Sequence, residues 1–284
     1  MADPGPGPAA GTLFVVAVPI GNPDDLSPRA RMVLAAVTVV AAEDTRHFGT
    51  LARHHGLATR AVSYHDHNEA ARTLELIGRL QAGDDVALVS DAGTPLISDP
   101  GYRLVRAAID AGISVTSLPG PSAVTTALAA SGLPPHPFRF LGFLPRTRTA
   151  RRAALDAVSD DPATLVAFEA PRRLLPTLRD ALDVLGDRDG CVARNLTKPH
   201  ERWQRGTLST IAGELEAEGE VRGEATLVMR GASADRAPAT EAEDDARLLL
   251  ASGAPARAVQ ELLVSRHRLS RREAYALVLR VSGR

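Results

Sequence analysis

Apolar residues in the first half of the chain fall into short runs separated by amphipathic stretches. Thr12–Val18 is a compact apolar run, the pattern of a strand buried on both faces of a parallel sheet. Val37–Ala41, Ala61–Tyr64, Val86–Ser90 and Ile113–Leu118 are further strand candidates. Ser27 followed by Pro28 supplies an N-cap and a first-turn proline for a helix. Asn68–Leu80 reads as a second helix that stops at Gly83. Ser98-Asp99-Pro100 reads as the start of a third, ending at Gly112, and Pro121–Ala130 as a fourth. Strand and helix alternating at this spacing predict a parallel sheet covered by helices on its faces.

The pattern breaks at Leu133-Pro134-Pro135-His136-Pro137, which places a domain boundary there. A second series follows: Phe138–Phe143, Leu165–Phe168, Arg173–Leu185, Cys191–Leu196, Thr207–Leu215 and Ala225–Arg230. Gly231–Thr240 has linker composition. Beyond it lie three short helical patterns, Glu241–Ala251, Pro255–Arg266 and Ser270–Val281, the last with a capping box of Ser270 and Glu273. The expected organisation is a disordered tail (1–11), an α/β domain (12–133), a second α/β domain (134–231), a linker (232–240) and a small helical domain (241–284).

Composition narrows the class. The chain has 284 residues, 44% hydrophobic and 24% charged, the profile of a soluble globular enzyme. No apolar stretch is long enough for a membrane span, and Met1–Gly11 lacks the basic start and apolar run of a signal peptide. Cys191 is the single cysteine, so no internal disulfide forms, in keeping with a reducing cytoplasm. The net charge of −1 is not that of a generally basic nucleic-acid binder, so any RNA contact must come from local patches. Among 33 basic residues there is one lysine, Lys198.

The chemistry-bearing motifs sit where strands end. Val89–Gly101 (VSDAGTPLISDPG) leaves one strand, Pro119–Ala123 (PGPSA) another, and Pro19–Asn22 (PIGN) the first. Three small-residue loops at strand ends imply a ligand cleft, because small side chains let a ligand approach the backbone. The ligand is not a dinucleotide or a nucleoside triphosphate read by the usual glycine codes, since neither G-x-G-x-x-G after a strand nor G-x-x-x-x-G-K-[ST] occurs. Ala42–His47 (AEDTRH) and His65–Asn68 (HDHN) also follow strands. His65 and His67 share one side of an extended segment, but without cysteines or a further ligand run the better reading is hydrogen-bonding loop residues, with no metal. Phe168–Arg173 (FEAPRR) and Arg194–Gly206 (RNLTKPHERWQRG) are polar clusters at strand ends. Basic residues beside Trp203 and His200 suit RNA phosphates and a stacked base. Arg146, Arg148, Arg151 and Arg152 form a second basic run, and Arg266, Arg268, Arg271 and Arg272 a third.

In this order the motifs PIGN, AEDTRH, HDHN, VSDAGTPLISDPG, LPGPSA, GFLP, FE-x-P-x-R and LTK-x-HE resemble the ribosomal RNA small subunit methyltransferase I family, from about Thr12 to Met229. The resemblance implies a tetrapyrrole methylase fold: two α/β domains holding S-adenosyl-L-methionine in the cleft between them, plus a small helical C-terminal domain. It implies a homodimer that 2′-O-methylates a cytidine ribose in the decoding region of 16S ribosomal RNA, within the small subunit. The donor residues it implies are Pro19 and Gly21 in the first loop, and Asp91, Ala92, Gly93, Thr94 and Pro95 in the long loop. Ser122 and Ala123 follow, with Phe168 and Gly206 from the second domain. The RNA-contacting candidates are Arg46, Arg146, Arg148, Arg151, Arg172 and Arg194. The chain departs from the family at Asn195, where glutamate is common, and at Arg172, where histidine is common.

Methyl transfer to a ribose hydroxyl is an in-line displacement that also needs a proton removed or a cation beside the oxygen. Lys198, Glu169 and Glu201, with His200, are the candidates. Lys198 leads, because a lysine can titrate or fit a small pocket where arginine cannot. A tetrapyrrole C-methyltransferase of the precorrin or uroporphyrinogen type is the alternative with the same fold and donor. A non-enzymatic ribosome-assembly protein is the alternative that predicts no donor binding.

Overall fold

The computed structural model describes residues 10–219, 222–232, 239–267 and 269–282. The tail over residues 1–9, the linker over 233–238 and Arg268 lie outside the described residues. The chain forms two compact units, Met1–Ala123 and Val124–Arg284.

The first unit is a parallel sheet of β1 (Thr12–Val16), β2 (Val39–Ala42), β3 (Ala61–Ser63), β4 (Val86–Val89) and β5 (Ser114–Leu118), in the order β3-β2-β4-β1-β5. Every pairing in it is parallel. In β1, β2 and β4 side chains alternate between two buried faces, which is why these strands read as continuous apolar runs. Val16, Val40, Ala42, Ala87 and Val89 face α1 (Pro28–Ala36) and α2 (Thr45–His55) through Leu34, Phe48 and Ala52. Leu13, Val39, Ala41, Val86 and Leu88 face α3 (Glu69–Gln81) and α4 (Tyr102–Asp110) through Leu76, Leu80, Leu104 and Ala108. The Ser27 hydroxyl accepts the Ala30 N–H at 3.1 Å, as an N-cap should.

Two expectations move. The helix expected from Ser98 begins at Tyr102, because Ser98 has φ 73° and Gly101 φ 137°, both incompatible with a right-handed helical start. The segment after Ala42 is a helix, α2, capped by Asp44, whose carboxylate accepts the Arg46 N–H at 2.8 Å.

The second unit carries a mixed sheet of β6 (Phe138–Phe143), β7 (Thr164–Glu169), β8 (Asp189–Arg194), β9 (Arg202–Thr207) and β10 (Ala225–Met229), in the order β6-β7-β10-β8-β9. Only β6 and β7 run parallel; the other pairings are antiparallel. α5 (Ala123–Ala130) leads into this unit, and α6 (Arg148–Asp156), α7 (Pro171–Leu185) and α8 (Leu208–Glu218) pack within it. Its core joins Leu155, Leu174, Leu178, Ile211 and Leu215 from the helices to Leu165, Val192 and Leu227 from the sheet. The polar segment around Trp203 is the strand β9, which its arginines hide from a hydrophobicity reading.

Three helices, α9 (Ala239–Ala251), α10 (Ala256–His267) and α11 (Arg271–Val281), enclose a separate small core of Ala246, Val259, Leu263, Ala274 and Val278. The capping box expected at Ser270 and Glu273 is present. Arg271 and Arg272 tie α11 to Asp183 on α7 and Asp156 on α6, each at 3.1 Å.

Candidate functional site

Because every strand of the first sheet runs the same way, all its carboxyl ends open on one edge, where ligands bind in open α/β sheets. The three small-residue loops leave from that edge and are bonded to one another. Val18 and Gly93 exchange both backbone hydrogen bonds, at 2.8 and 3.0 Å. The Thr94 hydroxyl donates to the Pro121 carbonyl at 3.2 Å. A Cβ on Gly93, whose φ is +77°, would meet the Ile20 methyl at 3.3 Å, and one on Gly120 would lie 2.9 Å from the Ala17 Cβ. Glycine is therefore required at 93 for conformation and at 120 for space. Pro19, Gly21, Ala92, Gly93, Thr94, Pro95, Ser122 and Ala123 thus belong to one bonded loop cluster. Leu96 and Ser98, with φ 74° and 73°, put two non-glycine residues in the left-handed region of the same loop. Backbone held in that region is strained, and such strain gathers at ligand sites.

An acidic rim borders these loops. The Asp91 carboxylate accepts the Asp44 N–H at 3.0 Å, and Glu43 accepts the Asp91 N–H at 3.3 Å, tying the ends of β2 and β4 together. Burial pushes the Glu43 carboxyl above its ordinary range. Burial, then the charges of Glu43, Asp91 and Asp66, push Asp99 up to about 6. Asp44 is held well below the usual carboxylate range by the Arg46 guanidinium, which grips it at 2.6 Å. Arg46 is nonetheless 90% exposed. In the His65–Asn68 turn, Asn68 accepts the His65 N–H at 2.9 Å and donates to Ser63. Among the described residues, no three His, Cys, Asp or Glu side chains converge in a metal-holding arrangement.

In the second unit one end of the sheet collects most of the remaining candidates. Phe168 pairs with Thr226, Thr226 with Ala193, and Ala193 with Trp203, which places the ends of β7 and β8 and the start of β9 level. Gly206 lies elsewhere: three residues farther along β9, it pairs with Gly190, toward the other end of the sheet.

Glu169 is not offered to a substrate. Its buried carboxylate accepts the Ala170 N–H at 2.7 Å and the Thr177 hydroxyl at 2.6 Å, and pairs with Arg173. Arg151 and Arg194 are likewise withdrawn from RNA contact: they are 4% and 3% exposed. Arg151 holds Asp180 at 2.6 Å and Arg194 holds Glu218 at 2.7 Å, which keeps the Glu218 carboxyl below its usual range. A guanidinium with so little exposure and a satisfied carboxylate partner is a structural tie. Arg148 is exposed, but its Nε also bonds Asp180, at 3.1 Å. Asp180 and Asp183 on α7 were the missed partners; their only sequence signal is an acidic pair one helical turn apart.

Lys198 sits in a tight loop, its N–H donating to the Asn195 backbone carbonyl at 2.9 Å. Asn195 and Thr197 have φ 53° and 62°. The Asn195 side-chain Oδ1 accepts the Glu224 N–H at 3.2 Å and fills the space beside Gly223, so this side chain serves the backbone. Lys198 Nζ lies 3.0 Å from the Glu224 carboxylate. Glu201 accepts the Thr197 N–H at 2.6 Å and the Trp203 indole N–H at 2.7 Å, so both its oxygens are engaged. Arg205 covers the Trp203 ring at 4.7 Å.

Comparison with known proteins agrees with this architecture. Residues 12–212 match the family described as Tetrapyrrole (Corrin/Porphyrin) Methylases. The chain is 50% identical over 261 residues to a Micromonospora olivasterospora protein named ribosomal RNA small subunit methyltransferase I, covering 89% of this chain and 82% of the relative. It is 44% identical over 277 residues to the Synechocystis protein of that name, covering 96% and 99%. Among solved structures, diphthine synthase is similar with a TM-score of 0.63 at 15% identity, over 78% of this chain and 90% of that one. A Thermus thermophilus uroporphyrin-III C-methyl transferase complexed with S-adenyl homocysteine is similar with a TM-score of 0.55 at 21% identity, over 78% and 97%. These two likenesses bear on the fold alone.

Proposed function

Because the chain belongs to the ribosomal RNA small subunit methyltransferase I family of the tetrapyrrole methylases, we propose that it uses S-adenosyl-L-methionine to methylate the 2′-hydroxyl of a cytidine ribose. The target lies in the decoding region of 16S ribosomal RNA, within the small subunit, and the enzyme works as a cytoplasmic homodimer. The observation that carries this reading is identity of 44% and 50% to relatives so named, over most of both chains.

The loop cluster of the first unit fits the donor. Gly21, Ala92, Gly93, Ser122 and Ala123 leave backbone bare at the sheet edge, and a side chain at 93 would crowd Ile20. When bound, the donor supplies an electrophilic methyl on a sulfonium. This chain's residues must align the ribose oxygen with that methyl and manage its proton. Alignment alone is worth about 7–11 kcal/mol in favourable cases. Lys198 is the residue proposed to act on the hydroxyl. Its ion pair with Glu224, at 3.0 Å, suits a compact positive charge placed where the oxygen loses its proton. With both carboxylate oxygens engaged, Glu169 and Glu201 are positioning residues for their loops.

The test is transfer of tritiated methyl to three acceptors: small subunits, free ribosomal RNA and uroporphyrinogen. Label on small subunits at a cytidine 2′-oxygen is the expected result. Label on uroporphyrinogen with none on RNA sinks the reading in favour of a C-methyltransferase.

A further inference from the structure

Most arginines of the second unit are already spoken for. Asp180 and Asp183 hold Arg148, Arg151, Arg152 and Arg271; Glu218 holds Arg194 and Arg202. Others hold backbone carbonyls, as Arg205 holds Ala130 at 2.7 Å. Among the described residues of this unit, two guanidinium groups have no protein partner: Arg146 and Arg172, both exposed. They flank the same feature. Arg146 lies three residues beyond Phe143 at the end of β6, and Arg172 lies four beyond Phe168 at the end of β7. Phe143 and Phe168 are paired in register, with ring centroids 5.4 Å apart at 60°. Phe168 also meets Phe140 at 4.9 Å.

Phe143 is the outer ring of this aromatic group and is 59% exposed. The backbone that follows it is tied down. The Leu144 carbonyl accepts from Arg173, the neighbour of Arg172, at 3.3 Å, and the Arg146 carbonyl accepts from the buried Arg151 at 3.3 Å. A large apolar ring exposed at paired strand ends, with an unneutralised cation a few residues beyond each strand, suits a partner with flat apolar faces and regularly spaced negative charge. Single-stranded nucleic acid has both. Trp203, the other aromatic near this end of the sheet, is a poorer platform, since its indole N–H is bound to Glu201 and Arg205 lies over its ring.

We propose that Phe143, Arg146 and Arg172 form the platform on which an unpaired stretch of the substrate RNA docks, one base stacking on Phe143 and flanking phosphates meeting the two arginines. This rests on the reading of the protein as an RNA methyltransferase and names the surface by which it holds the strand. Three full-length variants test it: Phe143→Leu, which keeps an apolar side chain but removes the ring; Arg146→Gln with Arg172→Gln; and Arg179→Gln as a control, whose arginine sits on the same helix paired with Glu216. Each is measured for S-adenosylmethionine binding by calorimetry, for affinity to a short unstructured RNA at several salt concentrations, and for KM with small subunits.

Loss of the ring should weaken RNA affinity about 5- to 100-fold. The arginine pair should weaken it too and reduce the salt slope by about one to two units. Both should raise KM for subunits with donor binding unchanged, while Arg179→Gln behaves as the parent. Parental RNA affinity and salt slope in both test variants, with a parent enzyme that does methylate subunits, would overturn the platform and leave the function standing. A Phe143→Leu variant that changes the sedimentation coefficient but not RNA affinity would also overturn it, by making the ring a protein–protein contact. A parent enzyme that labels no RNA at all removes the reading beneath both.

Discussion

Glu169→Gln separates an anchoring carboxylate from a catalytic one. The side chain is fully buried and receives hydrogen bonds from Ala170 and Thr177 as well as the Arg173 guanidinium. Glutamine offers one acceptor oxygen and turns the other position into a donor, so at least one of these donors faces another donor. Removing one partner of a buried ion pair costs about 3–5 kcal/mol. Arg173 keeps 21% exposure and its bond to the Leu144 carbonyl, so part of its charge is re-solvated. A loss of about 2–4 kcal/mol is expected. For a unit of this size that corresponds to a fall in Tm of roughly 5–15 °C. The assay is thermal unfolding followed by near-ultraviolet circular dichroism, with methyl transfer measured well below the lowered midpoint. There the variant should retain most of its activity, because the carboxylate touches only its own helix and strand. A variant that melts within about 2 °C of the parent yet has lost transfer would refute this reasoning and return Glu169 to the chemistry.

Further outcomes are expected elsewhere. Asp99, pushed up to about 6, is more easily protonated folded than unfolded, so its contribution to stability is full below about pH 4 and lost as pH rises through 6. Melting temperatures should fall over that window, and Asp99→Asn should flatten the fall; an identical profile in the variant would contradict the burial argument. Gly93→Ala places a Cβ 3.3 Å from Ile20 at φ +77°; it should cost about 1 kcal/mol of stability and weaken donor binding in calorimetry, whereas parental affinity would take this loop out of the donor site. Lys198→Arg keeps a cation opposite Glu224 but enlarges its head, and should remove most single-turnover methyl transfer with donor binding intact. A rate within a few-fold of the parent rejects a special role for the lone lysine.

The centre of the first sheet was legible because β1, β2 and β4 are buried on both faces, so Leu13 and Val16, or Val39 and Val40, stand in apolar runs whichever face they serve. β9 was not: Arg202, Trp203, Gln204 and Arg205 lie in an edge strand, where pairing with β8 rather than apolar alternation sets the structure. The start of α4 was misplaced because Ser98 and Pro100 look like a cap, while the left-handed φ values that forbid one there are set by the loop's tertiary packing. The loop cluster could be read, since glycine and proline mark it directly. The fates of Arg151 and Arg194 could not, because what neutralises them, Asp180 and Glu218, lies 29 and 24 residues away. A run of arginines announces charge, and only the fold says whether that charge is spent.

That internal neutralisation bears on how such an enzyme behaves in a crowded cell. Messenger, transfer and ribosomal RNA all present the same phosphates, and a surface of free guanidinium groups would linger on each of them. Generic affinity scales with the number of phosphates neutralised and competes with the one productive encounter. By folding most of its arginines onto its own carboxylates, this chain leaves fewer guanidinium groups free for generic phosphate contact. Substituting one of the pairing acids, such as Asp180 or Glu218, would therefore free a cation as surely as adding an arginine would.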